Sequence, residues 1–225
     1  MIATFDSNLG VPICSTVGKS CTSGSLIDGR ASFEINTPNT LDSCADGTSG
    51  TYHDDESIDM ITVRTSAPQL QGGVTATIEA KVWAWLSGSY DTADFYYSAT
   101  VGSDVAWTHI ASIRPGSGGL NTLAANYTVP GGSELQAVRV NFRFNGSQSP
   151  CSGGLWDEAD DLVFSVATGP AMVDAGPQEA PKSIAEPKAL PPSACTALER
   201  KRCLAASDLC EWKNGNDKGC YGKSN

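Results

Sequence analysis

The chain has 225 residues, 40% of them apolar, and a formal charge of −10 at pH 7. That length and composition allow one sizeable packed domain with a small appendage. The acidity excludes a basic nucleic-acid-binding face and disfavours an anionic membrane surface, and no run approaches the roughly 18 consecutive apolar residues of a membrane-spanning helix.

In chain order, the opening MIATFDSNLGVPIC has neither the basic start nor the apolar centre of a signal peptide. Eight cysteines nevertheless fit an oxidising compartment, so the expectation is a segment of a longer secreted protein. Cys14 and Cys21 enclose a short loop and are expected to pair locally, which leaves Cys44 for Cys151. From residue 57 onward the chain reads as strands. SIDMITVR comes first, followed by GVTATIEAKVWAWL, where Val74, Ala76, Ile78, Ala80, Val82 and Ala84 alternate with Thr75, Thr77, Glu79, Lys81, Trp83 and Trp85. This period of two belongs to a sheet with one buried face. DFYYSATV, AWTHIASI and NTLAANYTV follow, then AVRVNFRFNG with its Val and Phe inward and Arg139, Asn141 and Arg143 outward, and finally DLVFSVA. Turn formers such as RPGSGG and VPGGS punctuate the junctions. Seven or eight such strands without an amphipathic helix predict an all-β fold, an antiparallel β-sandwich of the jelly-roll type, over residues 1–168.

Residues 169–192 hold six of the twelve prolines among Ala, Glu and Lys, the composition of a stiff extended linker. Residues 193–225 then form a Cys-rich module. The first 168 residues carry 7 Lys and Arg against 18 Asp and Glu, a net −11, so the acidity belongs to the sandwich. The four tail cysteines allow three connectivities, of which Cys195 with Cys210 and Cys203 with Cys220 is the expected one. Zinc is disfavoured there, because the tail has no His and no close Cys pairs.

Two acidic clusters stand out, YHDDE at 52–56 and WDEADD at 156–161. A Cys44–Cys151 bond draws their loops to one end of the sandwich, where crowded carboxylates repel unless a cation intervenes. The expected ligand pool for a structural Ca²⁺ is Asp54, Asp55, Glu56, Asp160 and Asp161, completed by backbone carbonyls. The competing reading is that these acids cap turns and face water.

Catalytic signatures are weak. His53 and His109 are the only histidines and there is no G-x-S-x-G elbow. A His53–Asp–Ser set gathered from distant loops, or a pair of acids acting on a glycosidic bond, are the remaining enzymatic readings. No catalytic residue is assigned. Trp83 and Trp85 lie on the outward side of their strand, and with Tyr96 and Trp107 they offer a platform for sugar rings or a protein partner. The bland alternative places them in the core. Asn126 in NYT and Asn145 in NGS are glycosylation acceptors if the source is a eukaryote.

CSTVGKSCTSGSLIDGR, NTPNTLDSCADGTSGTYHDDESIDMITVRT, VWAW, DFYYSATV, WTHIASIRPGSGG, LQAVRVNFRFNGSQSPCSGG and DEADDLVFSV occur in one order over residues 3–167. In this series the chain resembles an accessory jelly-roll domain, akin to P-domains, found near the C-terminus of secreted bacterial and oomycete peptidases. The tail resembles short Cys-rich repeats in secreted proteins of algae and other microbial eukaryotes. The resemblance implies a non-catalytic, secreted accessory module whose partner is a parent catalytic domain or an extracellular glycan or protein. The alternatives are a carbohydrate or cell-surface binder using exposed aromatics, and a small extracellular hydrolase.

Overall fold

A computed structural model describes residues 1–28, 39–169, 210–213 and 219–222. The chain divides into two units, Met1–Ala175 and Gly176–Asn225. In the second, β11 (Cys210–Lys213) and β12 (Gly219–Gly222) form an antiparallel hairpin. The tail disulfide pairings lie outside the described residues.

The first unit holds ten strands: β1 (Thr4–Asp6), β2 (Val11–Cys14), β3 (Ser20–Thr22), β4 (Ser57–Thr65), β5 (Thr75–Ala84), β6 (Asp91–Ser98), β7 (Thr108–Ile113), β8 (Gly119–Thr128), β9 (Leu135–Phe144) and β10 (Glu158–Ser165). They make a six-stranded sheet in the order β1-β2-β10-β9-β6-β7 and a four-stranded sheet in the order β3-β4-β5-β8. The result is the expected β-sandwich, with one departure: β2 runs parallel to β10, so the larger sheet is mixed. Four hairpins, β1–β2, β4–β5, β6–β7 and β9–β10, stay within one sheet. The links β2 to β3, β5 to β6, β7 to β8 and β8 to β9 cross between the sheets.

Alternation decides which side chains fill the space between the layers. Ile78, Ala80 and Val82 of β5 meet Phe95 of β6, Val140 and Phe142 of β9, and Leu162 and Phe164 of β10 in one core. A bulge between Ile58 and Met60 interrupts β4. Because the bulge adds a residue, Ile58 and Ile61 are both fully buried although three apart.

Both expected bonds of the first unit are present. Cys14 joins Cys21, and Cys44 joins Cys151 across 107 residues of sequence. The second bond pins the loop after β9 to the loop before β4.

Candidate functional site

The WDEADD segment is the main correction to the sequence reading. Its last acids are not in a loop before the final strand, because β10 begins at Glu158 and takes Glu158, Asp160 and Asp161 into a sheet interior. All three are 0% exposed. Alternation turns Glu158 and Asp160 to the side of Leu162 and Phe164, between the sheets, and Asp161 to the other face. A Glu158 carboxylate oxygen accepts from the Ile58 N–H, tying β10 to β4.

Asp161 faces Arg139 of β9, its register partner. Arg139 is itself fully buried, and every guanidinium N–H is used. Nε donates to Asp161 Oδ1 at 2.7 Å and Nη2 to Asp161 Oδ2 at 2.9 Å. Nη2 and Nη1 reach the two oxygens of Asp42 at 2.5 and 3.1 Å, and Nη1 also reaches the Pro150 carbonyl at 3.1 Å. The Trp107 ring lies 4.3 Å from the guanidinium carbon, and its N–H donates to Asp42. Burial works against the Arg139 charge, but the two carboxylates outweigh it and raise its pKa. Asp42 is pushed up by partial burial, yet the Arg139 contacts outweigh that and lower it. Trp107 is therefore a lid on a buried ion pair.

The remaining proposed calcium ligands scatter. Asp54 is exposed, and Asp55 accepts from the Thr51 N–H at 2.8 Å, capping its turn as the competing reading had it. Glu56 is buried and shares a hydrogen bond with Asp91 of β6, a residue the sequence reading did not single out. Asp161 is committed to Arg139 on the opposite side of the sheet from Asp160. Among the described residues no group of three or more His, Cys, Asp or Glu side chains is set to hold a metal ion. Asp161, held by Arg139, and Asp160, on the other face of β10, are not placed to share one cation.

Tyr96 is not part of a surface platform. It lies on the outer side of the six-stranded sheet but is only 1% exposed, beneath the loop after β9, where Gln148 donates to its hydroxyl at 2.7 Å. The same loop is fastened by Arg143, paired with Asp94 at 2.7 Å, by the Asn141–Ser152 bond at 2.8 Å, and by Cys151.

The outer face of the four-stranded sheet is open. Thr75 and Lys81 of β5 and Leu120, Thr122, Ala124 and Asn126 of β8 are exposed, with Glu79 and Trp83 half-buried among them. At one end Tyr52, His53 and Trp83 form a pile. The centroids of Tyr52 and His53 are 3.9 Å apart, and those of His53 and Trp83 4.5 Å, with interplanar angles of 23° and 17°. His53 Nε2 donates to Asp59 Oδ2 at 2.9 Å, and the Tyr52 hydroxyl donates to Asp28. Burial, followed by the Asp28 bond, raises the Tyr52 pKa. His53 has φ 59°, a left-handed conformation that persists in a non-glycine residue only when its surroundings over-determine it.

A Ser–His–Asp group does assemble here, in the wrong order for acyl transfer. Ser57 Oγ donates to Asp59 Oδ1 at 2.9 Å, so the carboxylate sits between the hydroxyl and the imidazole. A nucleophile needs the base beside it. His109 is exposed and bonds Ser112 at 3.1 Å.

Trp85 takes part in a second aromatic group. It meets Phe144 edge-on at 5.6 Å, and Tyr90 and Trp156 approach the same ring at 5.8 and 5.4 Å. Alternation places Phe144 inward with Phe142, but it is only partly buried at the end of β9 and outside the core; Tyr90 and Trp156 carry no signal in the sequence, because the three rings come from different loops or strand ends and no local pattern links them. Comparison with known protein families and with curated proteins gave no match.

Proposed function

We propose that the chain is a non-catalytic accessory module of a larger extracellular protein, and that it binds a neutral extracellular glycan with the open face of its four-stranded sheet. The observation that carries this reading is the Tyr52–His53–Trp83 pile at the end of that face. Tyr52 and Trp83 each keep one ring face turned away from His53, and aromatic faces accept the C–H side of a pyranose. Lys81, Glu79 and Asn126 on the same face supply donors and acceptors for hydroxyls. The strained His53 is held by stacking and by Asp59, so the pile is preformed, which lowers the ordering cost of binding. A net charge of −11 over residues 1–168 disfavours polyanionic ligands. The two disulfides suit an oxidising extracellular compartment. The kinship with accessory jelly-roll domains of secreted peptidases rests on the sequence segments quoted above.

The test is depletion from solution by insoluble neutral polysaccharides. Wild-type protein is expected to be retained on at least one of cellulose, chitin or β-1,3-glucan, and Trp83→Ala to weaken retention about tenfold or more, in line with loss of a central aromatic contact. An unchanged melting temperature shows that the variant is folded. Retention on none of the three, or equal retention of the variant, overturns the reading.

A further inference from the structure

The rings around Phe144 form a patch distinct from the Trp83 pile. Tyr90 is 53% exposed and Trp156 37%, and Leu86 and Leu155, which adjoin Trp85 and Trp156 in the chain, are 72% and 53% exposed. Apolar groups gathered this way on a surface mark a place that something covers. The patch is also stiff. The Gly47 N–H donates to the Asp157 carbonyl at 2.7 Å and the Ser49 N–H to the Leu155 carbonyl at 2.9 Å, and a Cβ on Gly47 would stand 2.2 Å from the latter oxygen.

Asn145-Gly146-Ser147 follows Phe144 directly, and all three residues are exposed. Asn145 and Gly146 have φ 56° and 70°, so the chain turns there. The Asn145 N–H donates to the Tyr90 carbonyl at 2.7 Å, and Arg143 Nη1 donates to the carbonyls of Asn145 and Gly146. The acceptor's backbone is thus fixed beside Tyr90. Its side-chain amide makes no hydrogen bond among the described residues. The other acceptor is exposed as well but differs in backbone and side chain: Asn126 lies mid-strand in β8, paired with Thr77, whose hydroxyl donates to Asn126 Oδ1 at 2.8 Å.

We propose that Asn145 is N-glycosylated and that the first sugars of this glycan lie over Tyr90, Phe144 and Trp156. In the transfer, Asn145 Nδ2 bonds to the anomeric carbon of an oligosaccharide carried on a lipid diphosphate. The bond from that carbon to the diphosphate oxygen breaks, the lipid diphosphate leaves with the electron pair, and the amide proton passes to a base of the transferase. The pyranose C–H face then meets the rings while the hydroxyls face water. A neutral occupant suits a patch whose exposed members carry no charge.

This inference shares with the proposed function only the secretory route, and it concerns another surface. The test uses the full chain secreted from a eukaryotic host, with Asn145 occupancy read by glycopeptide mass and patch exposure by fluorescence of a hydrophobic dye. Asn145 is expected to be occupied in most molecules. Ser147→Ala keeps the Asn145 side chain but destroys the acceptor, and it is expected to raise dye fluorescence severalfold. Tyr90→Ser added to Ser147→Ala is expected to bring it back down. An unmodified Asn145, or an occupied Asn145 with no dye response on Ser147→Ala, overturns the proposal. So does Tyr90-dependent retention of the unglycosylated chain on a neutral polysaccharide, because an external glycan would then own the patch. Polysaccharide binding lost on Trp83→Ala belongs to the proposed function and leaves this one standing.

Discussion

Arg139 and Asp91 are buried ionisable groups with opposite accounts. Arg139 has every donor satisfied and two carboxylates against it, so its deletion strands Asp161 as a charge without a counter-ion in a fully enclosed position. Breaking a buried pair from one side costs about 3–5 kcal/mol. Arg139→Ala is therefore expected to lower unfolding free energy by about that much in urea denaturation, and a loss below about 1 kcal/mol would show that Asp161 finds relief elsewhere. Asp91 is 0% exposed, and burial raises its pKa, while the Glu56 bond and the Trp85 N–H pull it back. A carboxyl with a raised native pKa adds no penalty while protonated in both states. The penalty grows as pH climbs past the ordinary value of 3.8 and is complete above the native one. Asp91→Asn keeps an acceptor for the Trp85 N–H, now 2.8 Å away, and sheds the charge. Its urea midpoint is expected to exceed that of wild type at pH 7 and to converge with it below pH 3.8. A variant weaker than wild type at pH 7 would mean that the ionised carboxylate has a stabilising partner. Neither residue was legible beforehand as a core group. Arg139 reads as an outward residue on an alternating strand, which it is; what alternation cannot say is that a loop tied down by Cys151 will bury that outward face.

At the scale of strands and loops, alternation predicted all seven segments that became β4 to β10. It worked best for β5, where every second residue is buried. It failed at the start of β10, since four acids, Asp157, Glu158, Asp160 and Asp161, with only Ala159 between, look like a turn, and their burial is set by partners far away in sequence such as Ile58 and Arg139. The three-residue strands β1 and β3 are too short to carry a period. Wiring is likewise unwritten in a periodic pattern, which fixes layers but not whether the next strand pairs alongside or crosses over. The jelly-roll path inferred from strand count is therefore a finer statement than the sequence licenses, with four hairpins lying within single sheets. The Cys44–Cys151 bond was deducible by elimination, and it closes a loop of 107 residues. Cross-links over loops of that length contribute about 2–5 kcal/mol. Replacing both cysteines by serine is expected to lower stability by that amount and to speed proteolysis between residues 145 and 156. Unchanged protease sensitivity would mean that Arg139, Arg143 and Gln148 hold the loop unaided.

At the scale of the whole molecule, the sign of the charge was the most legible property, and burial tempers its size. Of the cations described in the first unit, Arg64, Arg139 and Arg143 are paired with acids. Seven acids, Glu56, Asp91, Asp94, Asp157, Glu158, Asp160 and Asp161, are buried together with Arg139 and Arg143, so the described exterior stays acidic but with a smaller excess than the count of charges alone implies, which still disfavours polyanionic partners. The two aromatic surfaces were half legible. Trp83 and Trp85 were read as outward, but the residues that make each a group come from segments far apart in sequence: Tyr52 and His53 for one, and Tyr90, Phe144 and Trp156 for the other.

The place of β10 in the larger sheet has a consequence for how the protein is made. The last strand of the sandwich lies between β2 and β9, with all eight residues buried. On the ribosome, β2 emerges some 150 codons before the neighbour it needs, and β9 waits with a bare flank. The larger layer closes only when residue 165 has left the exit tunnel, so a chain stalled a few residues short of that point presents two unpaired strand margins to its surroundings.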